Sequence, residues 1–88
     1  MGRLTYQEYL PKGKEKQLKQ EFAIEFGKHV RKVRKEQGLT QEELAFKTSL
    51  HSTYIGHIET GTYTPSIFVV WKIAEVLKMN LCDFLKGF

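Results

Sequence analysis

Four short or polar residues recur on one side of a segment near the middle of the chain. Thr53, Gly56, His57 and Thr60 are spaced i, i+3, i+4 and i+7, so a helix over residues 52–60 would place them on one face. Such hydroxyl and imidazole groups can hydrogen-bond to base edges in a DNA major groove, and a glycine lets the backbone approach closely. Gly56 lowers helix propensity by about 1 kcal/mol relative to alanine, so something should compensate. An ordinary solvated helix face fits this segment equally well.

The stretch around this face, residues 39–61, predicts two short helices joined by an abrupt turn, which is the sequence form of a helix-turn-helix. Thr40 followed by Glu43 is a capping box, and Gly61 ends the second helix. Residues 49–51 are too few for anything but a sharp change of direction. The inward positions are Leu44, Ala45 and Thr48 in the first helix and Ile55 and Ile58 in the second.

Length and composition limit the classes of protein to consider. A chain of 88 residues is enough for one small domain with a single core. We find no apolar run that approaches a membrane span and no signal-peptide pattern at the start. Cys82 is the only cysteine, which rules out an intramolecular disulfide, so we expect a cytoplasmic protein.

Motifs for catalysis, metal binding and cofactor binding are absent from the sequence. His51 and His57 are six residues apart, about 120° around a helix, so they do not share a metal-binding face. No HExxH pattern, glycine-rich phosphate loop or pair of clustered carboxylates is present. We therefore expect a binding protein rather than an enzyme, with no metal, cofactor, small-molecule ligand or membrane partner.

Positive charge is concentrated in the first part of the chain. Residues 1–38 have a net charge of +5, from ten basic and five acidic groups, whereas residues 39–88 have a net charge of −1, from four and five. This asymmetry fits a phosphate-binding helix beside a neutral helix that reads bases. It also fits an ordinary solvated amphipathic helix, and charge alone does not separate the two interpretations.

A long helix is predicted before the helix-turn-helix, over residues 14–37, and Gly38 should end it. Its buried stripe is predicted at Phe22, Phe26, Val30 and Val33. Arg34 borders that stripe. Because a partly buried arginine needs an acidic partner, we expect Arg34 to pair with Glu59.

Two more helices are predicted after the helix-turn-helix, and no strand alternation occurs. The inner face of the fourth helix is assigned to Ile67, Val70, Ala74 and Leu77, widened by Trp71 and Ile73. Asn80 can cap a short fifth helix over residues 81–85. The chain thus divides into an N-terminal extension, residues 1–21, with one possible helical turn at residues 5–10, and a domain, residues 22–88.

Six short strings occur in an order and spacing that are specific to one family. They are Val30–Arg34, Gly38–Ala45, Tyr54-Ile55, Ile58–Gly61, Thr64–Ser66 and Ile73–Leu77. With these strings, residues from about 26 to 85 resemble the DNA-binding domain of the Xre family, the helix-turn-helix type of lambdoid phage repressors and Cro. The run Leu-x-x-Thr-Tyr-Ile-x-x-Ile-Glu also resembles restriction–modification controller proteins. The resemblance implies an all-α, five-helix domain, usually a homodimer that binds double-stranded operator DNA.

The resemblance also implies roles for individual residues. Ser52, Thr53 and His57 match the base-reading positions, and Arg34 and Glu59 match a structural pair. Gln41 matches a glutamine that contacts phosphate and a neighbouring side chain of the recognition helix. Flanking or backbone contacts with DNA are implied at His51, Tyr54, Thr62, Tyr63 and Thr64. From their charge, we expect Lys28, Lys32 and Lys35 to neutralise phosphates.

Three residues depart from the family pattern. Ser49 occupies a turn position that is commonly glycine, so the turn is either strained or different in shape. Ser52 is shorter than the Gln or Arg frequent at its position, which reduces its reach toward bases. Phe46 occupies a position that is usually polar and exposed, and the N-terminal segment is a candidate to cover it.

The expected function is a transcriptional regulator that reads a near-palindromic operator with its recognition helix, residues 52–60. The alternative is an antitoxin or adaptor that uses the fold for protein contact, since that helix has no Lys or Arg. Residues 79–88 contain more large apolar side chains than one short helix can bury. We therefore expect a dimer interface at Met79, Leu81, Leu85 and Phe88, with Tyr6, Tyr9 and Leu10 as a rival surface.

Overall fold

Five α-helices make up most of residues 12–86 and 88, which are the residues described by the structure, a computed structural model. A short 3-10 turn at Lys12–Lys14 precedes them, and this part of the chain contains no strand. The helices are α1 Glu15–Glu36, α2 Gln41–Thr48, α3 Ser52–Glu59, α4 Ile67–Val76 and α5 Leu81–Lys86. The prediction of an all-α, five-helix fold is confirmed. The helical turn and the rival surface predicted within residues 5–10 lie outside the described residues.

Side-chain caps begin three of the helices. At α2, the hydroxyl of Thr40 accepts from the backbone N–H of Glu43 at 3.0 Å, and the Glu43 carboxylate accepts from the Thr40 N–H at 2.8 Å. These bonds to the backbone and the hydroxyl of Thr40 hold the pKa of Glu43 below its ordinary value. Ser66 and Asn80 cap α4 and α5 in a similar way. The caps satisfy N–H groups that a helix leaves without a partner in its first turn.

The first four α-helices end alike, in a residue with left-handed backbone conformation. The φ angles are 74° at Gly38, 60° at Ser49, 80° at Gly61 and 61° at Lys78. In each case the next N–H bonds to the carbonyl five residues back, as Leu50 does to Ala45 at 2.8 Å. Glycine adopts this conformation freely, whereas another residue does so at a cost of about 1–2 kcal/mol. The sequence left two alternatives for the turn at Ser49, a strained turn or one of different shape. The turn has the usual shape, so Ser49 is strained.

The core lies where α1 crosses the carboxyl end of α3 and where α2, α4 and α5 close around it. The fully buried side chains at its centre are Phe26, Val30, Leu44, Ile55, Ile58, Ile73, Leu77 and Phe84. Gly27 makes the crossing possible, because a Cβ there would overlap the carbonyl oxygen of Ile58 and lie 2.7 Å from that of Glu59. The backbones of the two helices thus touch, which fixes α3 against α1.

The buried stripe of α1 begins one residue later than predicted. Phe22 is 43% exposed, and the first buried side chain is Ala23. Residues 15–22 are exposed except for half-buried Leu18, so the first turns of α1 lie at the surface. The boundary predicted between residues 21 and 22 falls inside this continuous helix.

The assignment of the inner face of α4 was partly wrong. Ile67 is 68% exposed, and Trp71 is exposed as well, together with Phe68. The buried face consists of Val70, Ile73 and Ala74, and Leu77 follows it. Because α4 is apolar on almost every side, its periodicity does not show which side meets the core. The exposed rings of Phe68 and Trp71 stack at 6.0 Å between centroids.

The apolar side chains predicted to form a dimer interface at the C-terminus are less exposed than expected. Met79, Leu81 and Phe88 are half-buried and pack against the core. Leu85 is the exposed member of the four, at 39%. The core is larger than the short α5 alone suggests, because Phe22 and Phe26 of α1 offer further apolar surface to Phe88. In contrast, Phe46 in α2 is 85% exposed.

A cluster of rings holds the C-terminal residues against α1. The Phe88 ring lies 5.0 Å from that of Phe22 and 5.6 Å from that of Phe26, between centroids. Buried His29 donates through Nε2 to the carbonyl oxygen of Phe84 at 2.6 Å, and its ring lies 4.8 Å from the Phe84 ring. A buried carbonyl at the end of the chain is thus satisfied by a side chain of α1.

Candidate nucleic-acid interface

A buried ion pair fixes α3 against α1. Nε of Arg34 donates to Oε2 of Glu59 at 2.6 Å, and Nη2 donates to Oε1 at 3.0 Å. Nη1 of Arg34 donates to the carbonyl oxygen of Leu39 at 2.7 Å. Hydrogen bonding to Glu59 raises the pKa of Arg34, although burial acts in the opposite direction. Such two-point pairing offsets the desolvation of both groups and sets the position of α3.

Gln41, at the start of α2, joins this network. Its Nε2 donates to Oε1 of Glu59 at 3.0 Å, so α1, α2 and α3 meet on one carboxylate. Gln41, Lys35 and Ser52 line the same depression in the surface, beside the N-terminus of α2. The structure therefore brings together three of the residues that the sequence assigns to DNA contact.

The outer face of α3 carries the proposed base-reading groups. Thr53 is exposed, and Ser52, Gly56 and His57 are partly exposed, whereas Ile55, Ile58 and Glu59 on the opposite side are buried. A Cβ on Gly56 would meet the Gln41 side chain at 3.6 Å, an ordinary contact distance. The fold itself therefore does not require glycine at position 56.

The N-terminus of α3 differs from those of α2, α4 and α5. His51 is its N-cap and accepts no hydrogen bond through its side chain. Its first turn, like that of α4, contains no acidic residue. The first N–H groups of α3 therefore have no acceptor from the side chain of the N-cap residue. An uncapped helix N-terminus attracts anions such as phosphate, because the N–H groups and the helix dipole act in the same direction.

The loop after α3 folds back onto the recognition face. The carbonyl oxygen of His57 accepts from the N–H groups of Thr62 and Tyr63, at 2.8 and 3.2 Å. The Tyr63 ring lies 4.8 Å from the imidazole of His57 and 5.6 Å from the ring of Tyr54, between centroids. Thr62 and Thr64, the other loop residues assigned to the DNA backbone, are exposed.

The basic residues of α1 lie at different distances from this face. Lys28, Lys32 and Lys35 are exposed and share one side of α1, with Lys28 about 10 Å along the axis from Lys35. Lys28 forms an exposed ion pair with Glu25 at 3.4 Å. Lys35 borders the depression beside α2, whereas Lys28 and Lys32 lie farther back on α1.

Residues 12–86 and 88 contain neither a metal-binding group nor a membrane-spanning helix. No group of three His, Cys, Asp or Glu side chains in this range is placed to hold a metal ion. None of its helices is both long enough and apolar enough to cross a membrane.

Sequence reasoning missed Gly27, which positions α3 against α1, and His29, which holds α5 against α1. Gly27 had a signal, because Ala23 and Gly27 are small residues spaced i, i+4 beside the apolar stripe, a pattern that permits close helix approach. His29 had none, since nothing local indicates that a carbonyl from residue 84 would reach it. The contact between Tyr63 and His57 was likewise not predicted, although the sequence assigns both residues to the interface.

Two short helices that cross at a sharp turn, held by three others, define a helix-turn-helix protein. Residues 30–84 match the helix-turn-helix family HTH_3, and the chain belongs to this Xre-type family, as its motifs predict. Control protein C.BamHI of Bacillus amyloliquefaciens is 41% identical over 61 residues, which span 68% of this chain and 75% of that protein.

Solved structures show the same architecture. The restriction–modification controller protein C.AhdI of Aeromonas hydrophila is 31% identical, with a TM-score of 0.70 over 73% of this chain and 97% of that chain. SinR, a master regulator for biofilm formation solved in complex with DNA, is also 31% identical, with a TM-score of 0.63 over 68% and 97%. The chain is therefore similar to both of these proteins along nearly the whole of their solved chains.

Proposed function

We propose that this chain is a transcriptional regulator that binds double-stranded DNA sequence-specifically, with α3 in the major groove. The observation that carries the proposal is the outer face of α3, where Thr53 and His57 flank the side-chain-free surface of Gly56. The buried ion pair of Arg34 and Glu59 holds this face in a fixed orientation. The likeness to SinR, solved in complex with DNA, supports the same conclusion.

Phosphate contacts would come from the edges of this face. The uncapped N-terminus of α3 offers N–H groups to one phosphate. Gln41 uses one amide hydrogen on Glu59 and retains a second, which can bond to a phosphate oxygen. Lys35 adds positive charge beside it, and Thr64 in the loop offers a hydroxyl group to the next phosphate. The Thr62 hydroxyl bonds to that of Thr60 at 3.0 Å and would have to exchange this bond for one to a phosphate.

Base reading would depend mainly on Thr53 and His57, because Ser52 is short. Each such side chain can discriminate between bases by about 1–3 kcal/mol. His51 is the N-cap of α3 and Tyr54 is its third residue, so both lie next to the base-reading positions.

The test is a binding-site selection from randomised duplex DNA, followed by fluorescence polarisation with excess nonspecific competitor. Thr53→Ala and His57→Ala should each weaken binding to the selected site by about 5- to 150-fold and spare random DNA. Gln20→Ala, an exposed and uncharged change near the start of α1, is the matched control and should bind like the parent protein. Failure to enrich any sequence would refute the proposal, and equal weakening on random DNA would make the two residues backbone contacts.

We also propose that the chain acts as a homodimer on a near-palindromic operator. A twofold pair would place two α3 helices about 34 Å apart, facing successive major grooves. The exposed apolar side chains available for pairing include Leu85 on α5 and Ile67, Phe68 and Trp71 on α4. Half-buried Met79, Leu81 and Phe88 would add only their accessible edges.

Sedimentation of two variants distinguishes the possible interfaces. If α5 forms the interface, Leu85→Glu should be monomeric at micromolar concentration and protect neither half-site, whereas Phe68→Glu should remain a dimer. The reverse result would assign the interface to α4. A parent protein that sediments as a monomer on and off DNA would refute the dimer.

The second candidate function is protein contact, as in an antitoxin or adaptor. The exposed apolar residues of α4 favour it, because such patches commonly mark interaction surfaces. The same selection experiment decides between the two: a protein-contact module would show only weak binding to DNA, without sequence preference, and Phe68→Glu would remove its partner binding while leaving DNA binding unchanged.

A further inference from the structure

We infer that Tyr63 is a positioning residue for His57: the tyrosine ring, carried by the loop between α3 and α4, holds the imidazole in the orientation in which it reads a base. This inference rests on the proposed function, because it takes His57 to be a base-reading side chain. It adds a residue that determines specificity without contacting a base.

The loop backbone is attached to the residue whose side chain it orients. The carbonyl oxygen of His57 accepts from the N–H of Thr62 at 2.8 Å and from that of Tyr63 at 3.2 Å. Gly61 reverses the chain with a φ of 80° and lies so close to Ile24 of α1 that a Cβ there would be 2.7 Å from its side chain. The start of the loop is therefore fixed both to α3 and to α1.

The rings are placed to restrict one another. Tyr63 and His57 have centroids 4.8 Å apart and an interplanar angle of 50°, within the range of favourable aromatic pairs. Tyr54 lies one helical turn before His57, and its ring is 5.6 Å from that of Tyr63 at 47°. Tyr63 thus contacts two neighbouring rings of α3, and both Tyr54 and His57 are half-buried.

With the Tyr63 ring in place, the His57 side chain loses less conformational freedom on binding DNA than a free imidazole would. A free imidazole on a helix surface samples several rotamers, and ordering a side chain at an interface weakens affinity by roughly two- to tenfold. Because the Tyr63 ring already restricts His57, most of that ordering takes place on folding. The contact is made by the ring, so the Tyr63 hydroxyl is left to bond to the DNA backbone.

The experiment separates the ring from the hydroxyl. The readout is the affinity ratio between the selected site and the same site mutated at the base pair whose preference His57→Ala abolishes. Tyr63→Ala and Tyr63→Leu should lower this ratio by roughly two- to tenfold, whereas Tyr63→Phe should retain it. The double variant with His57→Ala should show no further decrease in the ratio, since both residues act at one base pair.

A second readout needs no DNA. The imidazole proton resonances of His57 should move on Tyr63→Ala and stay near their original positions on Tyr63→Phe, because the neighbouring ring current is removed only by the first change. Thermal unfolding of each variant checks that it is folded, and Tyr63→Leu keeps an apolar side chain in case the alanine loosens the loop.

Different results would contradict the inference about Tyr63 and the proposed function. If Tyr63→Ala preserves the ratio, or weakens binding equally on all sequences, Tyr63 is at most a backbone contact and the inference is wrong, while the proposed function stands. If His57→Ala alters no base preference, the base-reading role of His57 in the proposed function is wrong and the inference falls with it.

Discussion

Arg34 and Glu59, 25 residues apart in the chain, face each other through two hydrogen bonds of 2.6 and 3.0 Å, with both side chains buried. Glu59 also accepts from Gln41, so one carboxylate connects the helix that precedes the turn motif with both helices of the motif. Because Glu59 ends α3, the pair sets the angle at which the outer face of α3 is presented.

Removing one partner of this pair should destabilise the fold strongly. Arg34→Ala and Glu59→Ala should each lower the free energy of unfolding by about 3–5 kcal/mol, because an unpaired charge stays buried. The double variant should be destabilised by less than the sum of the two in urea denaturation. Lys28→Ala, which breaks the exposed pair with Glu25, should change stability by less than about 1 kcal/mol. Additivity in the cycle would contradict the coupling.

Gly27→Ala should be destabilising, although alanine normally favours helices. The new methyl group would overlap the carbonyl oxygen of Ile58, which belongs to a backbone that cannot move without shifting α3. Overpacking of this kind costs about 1–3 kcal/mol and exceeds the gain in helix propensity. Chemical denaturation of the variant gives the measurement, and an unchanged midpoint would show that the two helices do not touch there.

Gly56→Ala should have the opposite effect on stability and still weaken DNA binding. Its Cβ has room beside Gln41, so the helix should gain about 0.8–1 kcal/mol. On DNA, the methyl group would stand between α3 and the groove, and affinity for the selected site should fall. If the variant is more stable and binds the selected site with the same affinity as the parent protein, Gly56 has no role in the approach of DNA.

Ser49→Gly should stabilise the protein by up to about 1 kcal/mol. Serine holds a φ of 60° at this turn, which is strained, whereas glycine adopts that φ without strain. Glycine loses more conformational entropy on folding than serine does, but this loss is smaller than the strain that is removed. Lys78→Gly, at the equivalent position after α4, should act in the same direction. Ser66→Gly is the contrasting control, because it removes a side-chain cap and should bring no gain. The thermal midpoints of the three variants give the comparison.

Affinity for DNA should fall steeply as salt is added. If lysines and helix N-termini neutralise phosphates, the plot of log affinity against log salt should have a slope of several units per dimer. Lys35→Gln should reduce that slope by about one unit for each phosphate that the side chain no longer neutralises, whereas Lys86→Gln on α5 should leave it unchanged. Polarisation titrations between low and physiological salt provide the slopes, and a flat response would argue against nucleic-acid binding.

The sequence by itself determined the helices and their order. The capping box at Thr40 and the glycines that end α1 and α3, Gly38 and Gly61, depend on only a few neighbouring residues. They can therefore be recognised in the sequence without knowledge of the fold. The amphipathic spacing of α2 and α3 identified every buried residue of α2, and Ile55 and Ile58 of α3. The partnership of Arg34 with Glu59 was also accessible, because a charged residue at the edge of an apolar stripe requires an acid somewhere.

The tertiary structure decided which of several apolar surfaces is covered. α4 is apolar on both sides, so only the positions of α2 and α5 settle that Ile73 is buried and Ile67 is exposed. The same holds for Phe88, which packs on Phe22 and Phe26 across 66 and 62 residues of the chain. Burial energy depends on area removed from water and has no preferred direction, so a local pattern cannot name the partner.

Side-chain orientation at the interface was decided in the same way. The sequence places Tyr63 and His57 six residues apart, on a loop and a helix, without a rule that joins their rings. They meet because Gly61 reverses the chain against Ile24 and the His57 carbonyl receives two loop N–H groups. Spacing therefore determined which residues face outward from α3, and only the backbone path of the loop decided how one of them is held.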